Sequence, residues 1–316
     1  MEVRGNLNQS YYYSPRRQNK VRSRRRFAKF FSYLIILAVI IIPAITLLKI
    51  NGRTVYANIT NSPKVLTPAQ LEAQREQAAT KLATLSSSVN SVINNNPAID
   101  FEVSSVDITG GDKQLTYGQT GPVTAASVSK ILTATDFLQE VELGKQSLTQ
   151  IFDDGDSASY ALQQMIVASD DDAWEDLNNQ LTYPQIQDYA NRIGVNSFQW
   201  QNNTLSAYDT ANLLAKLFEG KLLNIDHTNL LLGYLKQANY RQFIVPAVPS
   251  YDTVYHKIGE EDDNVNDAAI ITNQNQSQAI TLAIFTNGNG EYEWPERAVM
   301  MQQITTAFLT YYGLIS

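Results

Sequence analysis

Ser127 and Lys130 have the residue types and the spacing of a catalytic pair for acyl transfer. Residues three apart on a helix share a face, so a helix that starts near Ala126 would bring the Lys130 amine beside the Ser127 hydroxyl. The free N–H groups and the positive dipole end of a helix start also lie where an oxyanion would develop. Ser-x-x-Lys occurs once, as about one is expected by chance. Alone, it fits either a nucleophile or an ordinary helix start.

Two later segments have the side chains that such a site needs. Ser169 opens the sequence S-D-D between two predicted helices, where a hydroxyl that both donates and accepts can relay a proton. Lys257 opens the sequence K-I-G, which follows an extended segment at residues 251–256 and precedes an acidic turn. A lysine acts as a base only when burial or a neighbouring cation lowers its pKa, and Lys257 would be that cation for Lys130.

The three segments resemble the marks of the penicillin-binding and class A β-lactamase superfamily, which are S-x-x-K, S-D-N and K-T-G. The resemblance covers roughly residues 100–313 and includes the strand-like sequence at 266–271. It implies an α+β fold in which an antiparallel sheet flanked by helices carries an inserted all-helical lobe. It also implies a serine hydrolase whose substrates are β-lactams or the D-Ala-D-Ala ends of peptidoglycan stem peptides.

The resemblance also implies a role for each motif residue. Ser127 would be the nucleophile and Lys130 its base, while Ser169 would relay a proton to the leaving group. Lys257 would hold a substrate carboxylate or tune Ser169, and Gly259 would let a substrate backbone lie against a strand edge. The backbone N–H groups of residues 127 and 260 would form an oxyanion hole. The predicted catalytic residues are Ser127, Lys130, Ser169 and Lys257, and the predicted substrate-binding residues are Asp171, Ile258, Gly259 and Glu260.

Three departures from the family pattern bear on activity. Asp171 replaces an asparagine, so amide donors toward the substrate are lost and the charged form of Lys130 is favoured. Ile258 replaces a threonine or serine whose hydroxyl helps to bind a substrate carboxylate. Residues 195–208, where class A β-lactamases carry the glutamate that activates the deacylating water, contain no acid. Asp209, just beyond, is predicted to start a helix. Slow deacylation is therefore expected, as in peptidases.

The same residues leave other interpretations open. Asp171 and Ile258 also suit a degenerate, non-catalytic wall-binding or scaffold protein that keeps the fold. An esterase or amidase with an unrelated substrate is a third possibility, because the motifs do not encode the shape of the pocket. Ser169 and the acids after it also make a good N-terminal signal for a helix. No sequence feature defines an oligomeric state.

The hydrophobic pattern predicts strands at both ends of a helical stretch. Strands at 101–108 and 114–117 form a hairpin before Ser127. From there to residue 220 the pattern is helical, with glycines as stops. Strands return at 254–257, 268–272 and 280–285. This order indicates one antiparallel sheet built from both ends, with a helical lobe inserted in its middle. The predicted helices are 67–94, which forms a stalk or packs along the domain, 127–143, 157–167, 171–181, 184–193, 208–218, 227–235 and 294–312.

An N-terminal membrane anchor is predicted. Residues 30–48 are apolar without a charge and long enough to span a bilayer. Eight basic residues lie between Arg16 and Lys29, which places the N-terminus in the cytoplasm and everything after Lys49 outside. A cleaved signal peptide is the alternative, but the run is long for one and lacks a clear cleavage site. The expected parts are a basic cytoplasmic tail (1–29), a transmembrane anchor (30–50), a linker or stalk helix (51–96) and a β-lactamase-like serine hydrolase domain (97–316).

Composition excludes several classes of function. Of the 24 Lys and Arg, residues 1–50 hold 10, and they hold one of the 31 acids, which leaves 14 basic and 30 acidic residues and a net charge of −16 in residues 51–316. This charge argues against nucleic acid as a partner. The absence of cysteine excludes disulfides and catalytic thiols. Two histidines leave few candidates for a Ser-His-Asp triad or a metal centre, so no metal or cofactor is predicted.

Overall fold

A computed structural model describes residues 49–50, 53–54, 66–111, 113–288 and 294–315. The chain divides into two compact units at Thr67. In the first unit, strands β1 (Lys49–Ile50) and β2 (Arg53–Thr54) pair in antiparallel fashion. The second unit, from Pro68 onward, contains the sheet and the helices that position the candidate site.

The second unit alternates strands and helices in the order that the hydrophobic pattern predicts. Its strands are β3 (Asp100–Asp107), β4 (Lys113–Gly118), β5 (Val123–Thr124), β6 (Thr204–Leu205), β7 (Thr253–Glu261), β8 (Asn264–Thr272) and β9 (Ala279–Asn287). Its helices are α1 (Pro68–Asn95), α2 (Lys130–Glu142), α3 (Ala158–Val167), α4 (Asp171–Leu181), α5 (Tyr183–Arg192), α6 (Ala207–Phe218), α7 (Ile225–Gln237) and α8 (Trp294–Tyr312). Short 3-10 turns lie at Ala126–Ser129, Trp200–Asn202 and Val245–Ala247.

Five strands form one antiparallel sheet in the order β4-β3-β9-β8-β7. The N-terminal pair joins the C-terminal trio through β3 and β9, whose register runs from Asp100 opposite Asn287 to Asp107 opposite Ile280. Helices α2 to α7 lie between these two halves in the chain. The predicted α+β fold, with an antiparallel sheet built from both ends and flanked by helices, is confirmed. In this order β7 is an edge strand.

Alternation along the strands divides the core into two layers, one on each face of the sheet. Phe101 and Val103 of β3 belong to the layer that contains side chains of α1 and α8. Val106, on the opposite face of β3, belongs to the layer formed with the helical lobe. Leu85 and Val89 of α1 are buried, so the second half of this helix packs on the sheet.

Side-chain caps fix the starts of four lobe helices. In each case the residue before the helix accepts a hydrogen bond from a backbone N–H of the first turn, which satisfies a donor that has no partner inside the helix. Among these helices, such a start signal was identified from the sequence only for α4. The capping residues are Ser157 for α3, Asp170 for α4, Ser206 for α6 and Asn224 for α7.

Two predicted boundaries near the candidate site were wrong. The extended segment was expected to end at His256, but β7 continues through K-I-G to Glu261, because its pairing with β8 extends to Glu261 opposite Asn264. The acidic turn therefore begins at Asp262. The predicted helix at 127–143 starts as a 3-10 turn, and the α-helix begins only at Lys130.

None of the helices in the described ranges combines the length and the apolar character that a membrane span requires. Residues 30–48, on which the predicted anchor rests, lie outside those ranges, as do the basic residues 16–29. The last two residues of the predicted anchor form β1.

Candidate active site

Ser127 lies in the 3-10 turn Ala126–Ser129, directly before α2, and is partly exposed. Ala126 has φ 49°, a left-handed conformation that costs energy in a residue with a Cβ. A residue of the sheet holds the backbone just before Ala126 in place. Asn266 of β8 donates from Nδ2 to the carbonyl oxygens of Thr124 and Ala125, at 2.9 and 3.2 Å. The turn that carries the nucleophile is therefore fixed by tertiary hydrogen bonds.

Gly259 brings β7 into contact with this turn. A Cβ at residue 259 would lie 2.5 Å from the Ala125 carbonyl oxygen and 2.9 Å from the Ser127 nitrogen, both closer than real Cβ atoms approach. Only glycine therefore fits without a shift of the turn or the strand. The family resemblance implied that Gly259 lets a substrate backbone lie against the strand. In the structure, Gly259 also packs directly against the backbone of Ser127.

Lys130 is the first residue of α2 and its side chain is fully buried. Its Nζ donates to the Ser169 carbonyl oxygen at 2.7 Å and to Asp171 Oδ1 at 2.5 Å, and it lies 5.0 Å from the centre of the Trp174 ring. Burial lowers the pKa of Lys130, whereas the hydrogen bond to Asp171 opposes this shift. Lys130 and Ser127 both lie within the described residues, and their side chains form no direct hydrogen bond with each other.

Ser169 connects the two lysines of the site. It has φ 61°, and it precedes Asp170, whose side chain caps α4 by accepting from the Ala173 N–H at 2.9 Å. The helix start predicted from Ser169 and the acids after it is thus confirmed, with Asp170 as the capping residue. The Ser169 carbonyl accepts from Lys130, and its Oγ accepts from Lys257 at 2.7 Å.

Lys257 is almost completely buried and donates to Ser169 Oγ and to the Ile258 carbonyl oxygen, the latter at 2.9 Å. Burial, reinforced by the charge of Lys130, lowers the pKa of Lys257 to about 7. Beside it, His256 Nδ1 lies 3.1 Å from Asp267 Oδ1, and both side chains are fully buried. This pair fixes β7 against β8 at the residue before Lys257.

An open cleft of about 670 Å³ lies over these groups. Ser127, Asp171 and Glu260 line it, whereas Lys130 and Lys257 lie beneath its surface. Ile258 does not line the cleft; its side chain is buried in the core layer of α1 and α8. Of the predicted residues, all four catalytic ones thus meet at one place. No three metal-binding side chains converge within the described part of the chain.

A family model described as the Beta-lactamase enzyme family matches residues 84–312. The chain belongs to this family. The family that the three motifs indicated is therefore confirmed. A search among curated proteins gives no match.

Solved structures of similar fold include β-lactamases and a penicillin-binding protein. A β-lactamase from Xanthomonas campestris pv. campestris superposes with a TM-score of 0.65 at 17% identity, over 71% of this chain and 95% of the other. PBP-A superposes with a TM-score of 0.67 at 17% identity, over 73% and 96%. A mutant of the class A β-lactamase of the last common ancestor of Gram-negative bacteria gives 0.67 at 18% identity, over 72% and 98%. At these identities the likeness concerns the fold.

In this family member, residues 195–208 form one wall of the cleft without contributing a carboxylate. Asn203 anchors this stretch to the nucleophile turn, since its carbonyl accepts from the Ala125 N–H at 2.8 Å. Its Nδ2 donates to the Ala126 carbonyl oxygen at 3.2 Å. Asp209 lies in the first turn of α6, as predicted, and its Oδ2 accepts from the Ser197 N–H at 2.8 Å. Asp209 therefore supports the loop.

Sequence reasoning missed three contributors to the site. Asn266 was noted as part of a strand, but nothing local indicates that it bonds to residues 124 and 125. Trp174 packs over Lys130, and its indole N–H donates to Thr133 Oγ1 at 2.9 Å. Glu175, one helical turn after Asp171, lines the cleft. The spacing of four between the two acids on a predicted helix is a signal that could have indicated their shared face.

Proposed function

We propose that this protein is an extracytoplasmic serine hydrolase that forms an acyl-enzyme at Ser127 with β-lactams or with the D-Ala-D-Ala ends of stem peptides. The observation that carries the proposal is the convergence of two buried lysines on Ser169, each at 2.7 Å, beside the Ser127 turn. Together these residues supply a nucleophile, a base and a proton donor. The family match supports the same reaction class.

The proposed proton path uses each lysine once. Neutral Lys130 accepts the Ser127 proton as Oγ attacks the carbonyl carbon of the substrate. Ser169 donates its hydroxyl proton to the leaving nitrogen and is reprotonated by Lys257, to which it is hydrogen-bonded. One proton thus enters at Lys130 and one leaves from Lys257, so the net charge of the site is unchanged. The N–H groups of Ser127 and Glu260 stabilise the oxyanion.

Deacylation is proposed to be slow. A water molecule that attacks the ester needs a general base, and residues 195–208 carry no acid for this role. Asp209 is engaged with the Ser197 N–H. A variant of PBP-A, solved as an acyl-enzyme complex with penicillin G, superposes on this chain with a TM-score of 0.67 at 17% identity, over 74% of this chain and 98% of the other. A lasting penicilloyl adduct is therefore expected here.

The proposal is tested by mass spectrometry. The purified full-length chain is incubated with benzylpenicillin, and its intact mass and the free drug are followed over time. An adduct that accumulates, persists and maps to Ser127, and that Ser127→Ala abolishes, is the expected result. Rapid loss of drug without an adduct would contradict slow deacylation. If no adduct forms and no drug is lost, the proposed acylation of Ser127 is contradicted.

We further propose that residues 30–50 anchor the protein in the cell membrane, with the N-terminus cytoplasmic and the catalytic unit outside. The apolar run and the basic residues before it support this topology. It would place the cleft on the same side of the membrane as peptidoglycan.

A second candidate is a non-catalytic wall-binding protein that keeps the fold. The contact of 2.5 Å between Lys130 and Asp171 favours it, because a bound carboxylate stabilises the charged form of the proposed base. Asp171→Asn discriminates between the candidates, whereas Ile258 is left unchanged because its side chain lies in the core layer of α1 and α8. Acylation that appears only in the variant would identify an eroded site, and acylation of the wild-type chain would contradict this candidate.

A further inference from the structure

The exposed wall of the cleft carries carboxylates and no cation. Asp171, Glu175, Glu260 and Glu261 line it, and no lysine or arginine lines it in the described part of the chain. The two lysines of the site are fully or almost fully buried beneath this wall and directed at Ser169. A ligand that enters the cleft therefore meets negative charge before it reaches Ser127.

Asp171 offers a substrate only acceptors. One of its oxygens accepts from Lys130, yet the side chain as a whole is 82% exposed. A carboxylate cannot donate a hydrogen bond to a substrate carbonyl, but it accepts well from an N–H, most strongly from an ammonium group. Glu175 follows one turn later on α4 and lines the same cleft. This side of the cleft is thus matched to a cationic donor.

The means to bind a substrate carboxylate are reduced. Ile258 is buried in the core of the opposite face and offers the cleft no hydroxyl. Lys257 is engaged by Ser169 and by the Ile258 carbonyl. Glu260 and Glu261, which follow Gly259 in β7, are exposed acids, and Glu260 accepts from the Trp294 indole N–H. These acids weaken the binding of a substrate carboxylate.

Aromatic rings complete the cleft. Tyr183 and Trp200 stack with their centroids 5.1 Å apart, and both line it, as does Trp174. Aromatic faces attract ammonium groups, and this attraction adds to that of nearby carboxylates. Negative charge and aromatic surface therefore favour the same chemical class of ligand.

We propose that the cleft selects acyl donors that carry a protonated amine close to the scissile bond, such as peptides with an unblocked amino group or β-lactams with a cationic side chain. This inference rests on the proposed acylation of Ser127 and specifies its substrate class. It predicts that an added ammonium group accelerates acylation, whereas the same position blocked by an acetyl group does not.

Three penicillins provide the test. Ampicillin differs from benzylpenicillin by one amino group next to the side-chain amide, and N-acetyl-ampicillin keeps the added bulk without the charge. Acylation rates of the full chain are measured by intact mass at mildly acidic pH, where the amine is protonated. Ampicillin is expected to react about tenfold faster than either of the others, equivalent to about 1.4 kcal/mol. High salt should reduce this advantage.

Two charge-neutralising variants locate the effect. Glu175→Gln should lower the preference for ampicillin several-fold, while Glu76→Gln, which removes an exposed acid from α1 on the other side of the sheet, should leave it unchanged. Equal rates for the three penicillins, or an equal gain with the acetylated compound, would overturn the inference and leave the acylation proposal intact. No adduct with any of them would instead contradict the acylation proposal.

Discussion

At the scale of single residues, Asp171 determines how well Lys130 can act as a base. Burial lowers the pKa of Lys130, and the Asp171 carboxylate at 2.5 Å raises it. An asparagine would keep a hydrogen-bond acceptor at the same place and remove the charge. The two opposing effects on one amine are therefore separable by a change that alters few atoms.

We expect Asp171→Asn to increase the rate of acylation by benzylpenicillin about tenfold at neutral pH, because loss of the carboxylate lowers the pKa of Lys130 further and leaves more of the neutral base. The acidic limb of the pH–rate profile should move to lower pH. Stopped-flow or quenched mass measurements across pH provide the check. Asp172→Asn removes the neighbouring exposed acid of α4 and should leave the profile unchanged. A slower Asp171→Asn variant would mean that the carboxylate assists the reaction.

At the scale of elements, helix starts and the order of strands were predictable because their signals are local. Asp170, Ser206 and similar caps lie next to the helices that they start, and alternation marks the strands. The position of Ser127 was not predictable. It depends on Asn266 and Gly259, which lie more than a hundred residues later and contact the turn only after the sheet has formed. Local sequence patterns do not indicate which distant residues will contact the turn.

We expect Gly259→Ala to slow acylation by about a hundredfold, because a displacement of the nucleophile by about 1 Å has an effect of this size. The added Cβ would meet the Ala125 carbonyl oxygen at 2.5 Å, so β7 or the turn must move. Rates are measured by intact mass, with circular dichroism to confirm folding.

Gly233→Ala is the matched control. It adds the same atom inside α7, where nothing lies within 4 Å, and it should leave the acylation rate unchanged. A helix interior favours alanine, so its free energy of unfolding should rise by about 0.5 to 1 kcal/mol. Equal acylation rates for the two glycine variants would show that a displacement of β7 from the Ser127 turn does not affect acylation.

At the scale of the whole molecule, a buried acid makes stability depend on pH. Glu102 of β3 is 2% exposed, and burial raises its pKa from 4.5 to about 7. The N–H groups of Gly121, Ala207 and Tyr208 oppose this shift, yet no hydrogen bond to either oxygen forms among the described residues. The folded state thus holds this proton more tightly than the unfolded state.

We expect Glu102→Gln to stabilise the protein at neutral and alkaline pH. Between about pH 4.5 and 7 the folded chain keeps the Glu102 proton that the unfolded chain loses, so the wild-type free energy of unfolding falls by about 3 kcal/mol across this window. The variant lacks this fall. Urea titrations of both proteins from pH 4 to 8, with Glu76→Gln as an exposed control, should therefore give a difference that grows up to pH 7 and then stays constant. A difference independent of pH would refute this origin.

The proposed membrane anchor rests on how charge and apolar residues are divided along the chain. Residues 1–50 are basic with an apolar run, and residues 51–316 carry a net charge of −16. We expect the full chain to sediment with membranes and to remain there in high salt, since burial of an apolar span is insensitive to screening.

Protease added outside spheroplasts should digest the acidic unit and spare an epitope tag at the N-terminus. A chain shortened to residues 51–316 should stay in the supernatant. Release of the full chain by salt would indicate that the basic residues bind lipid headgroups electrostatically and that residues 30–50 do not cross the bilayer.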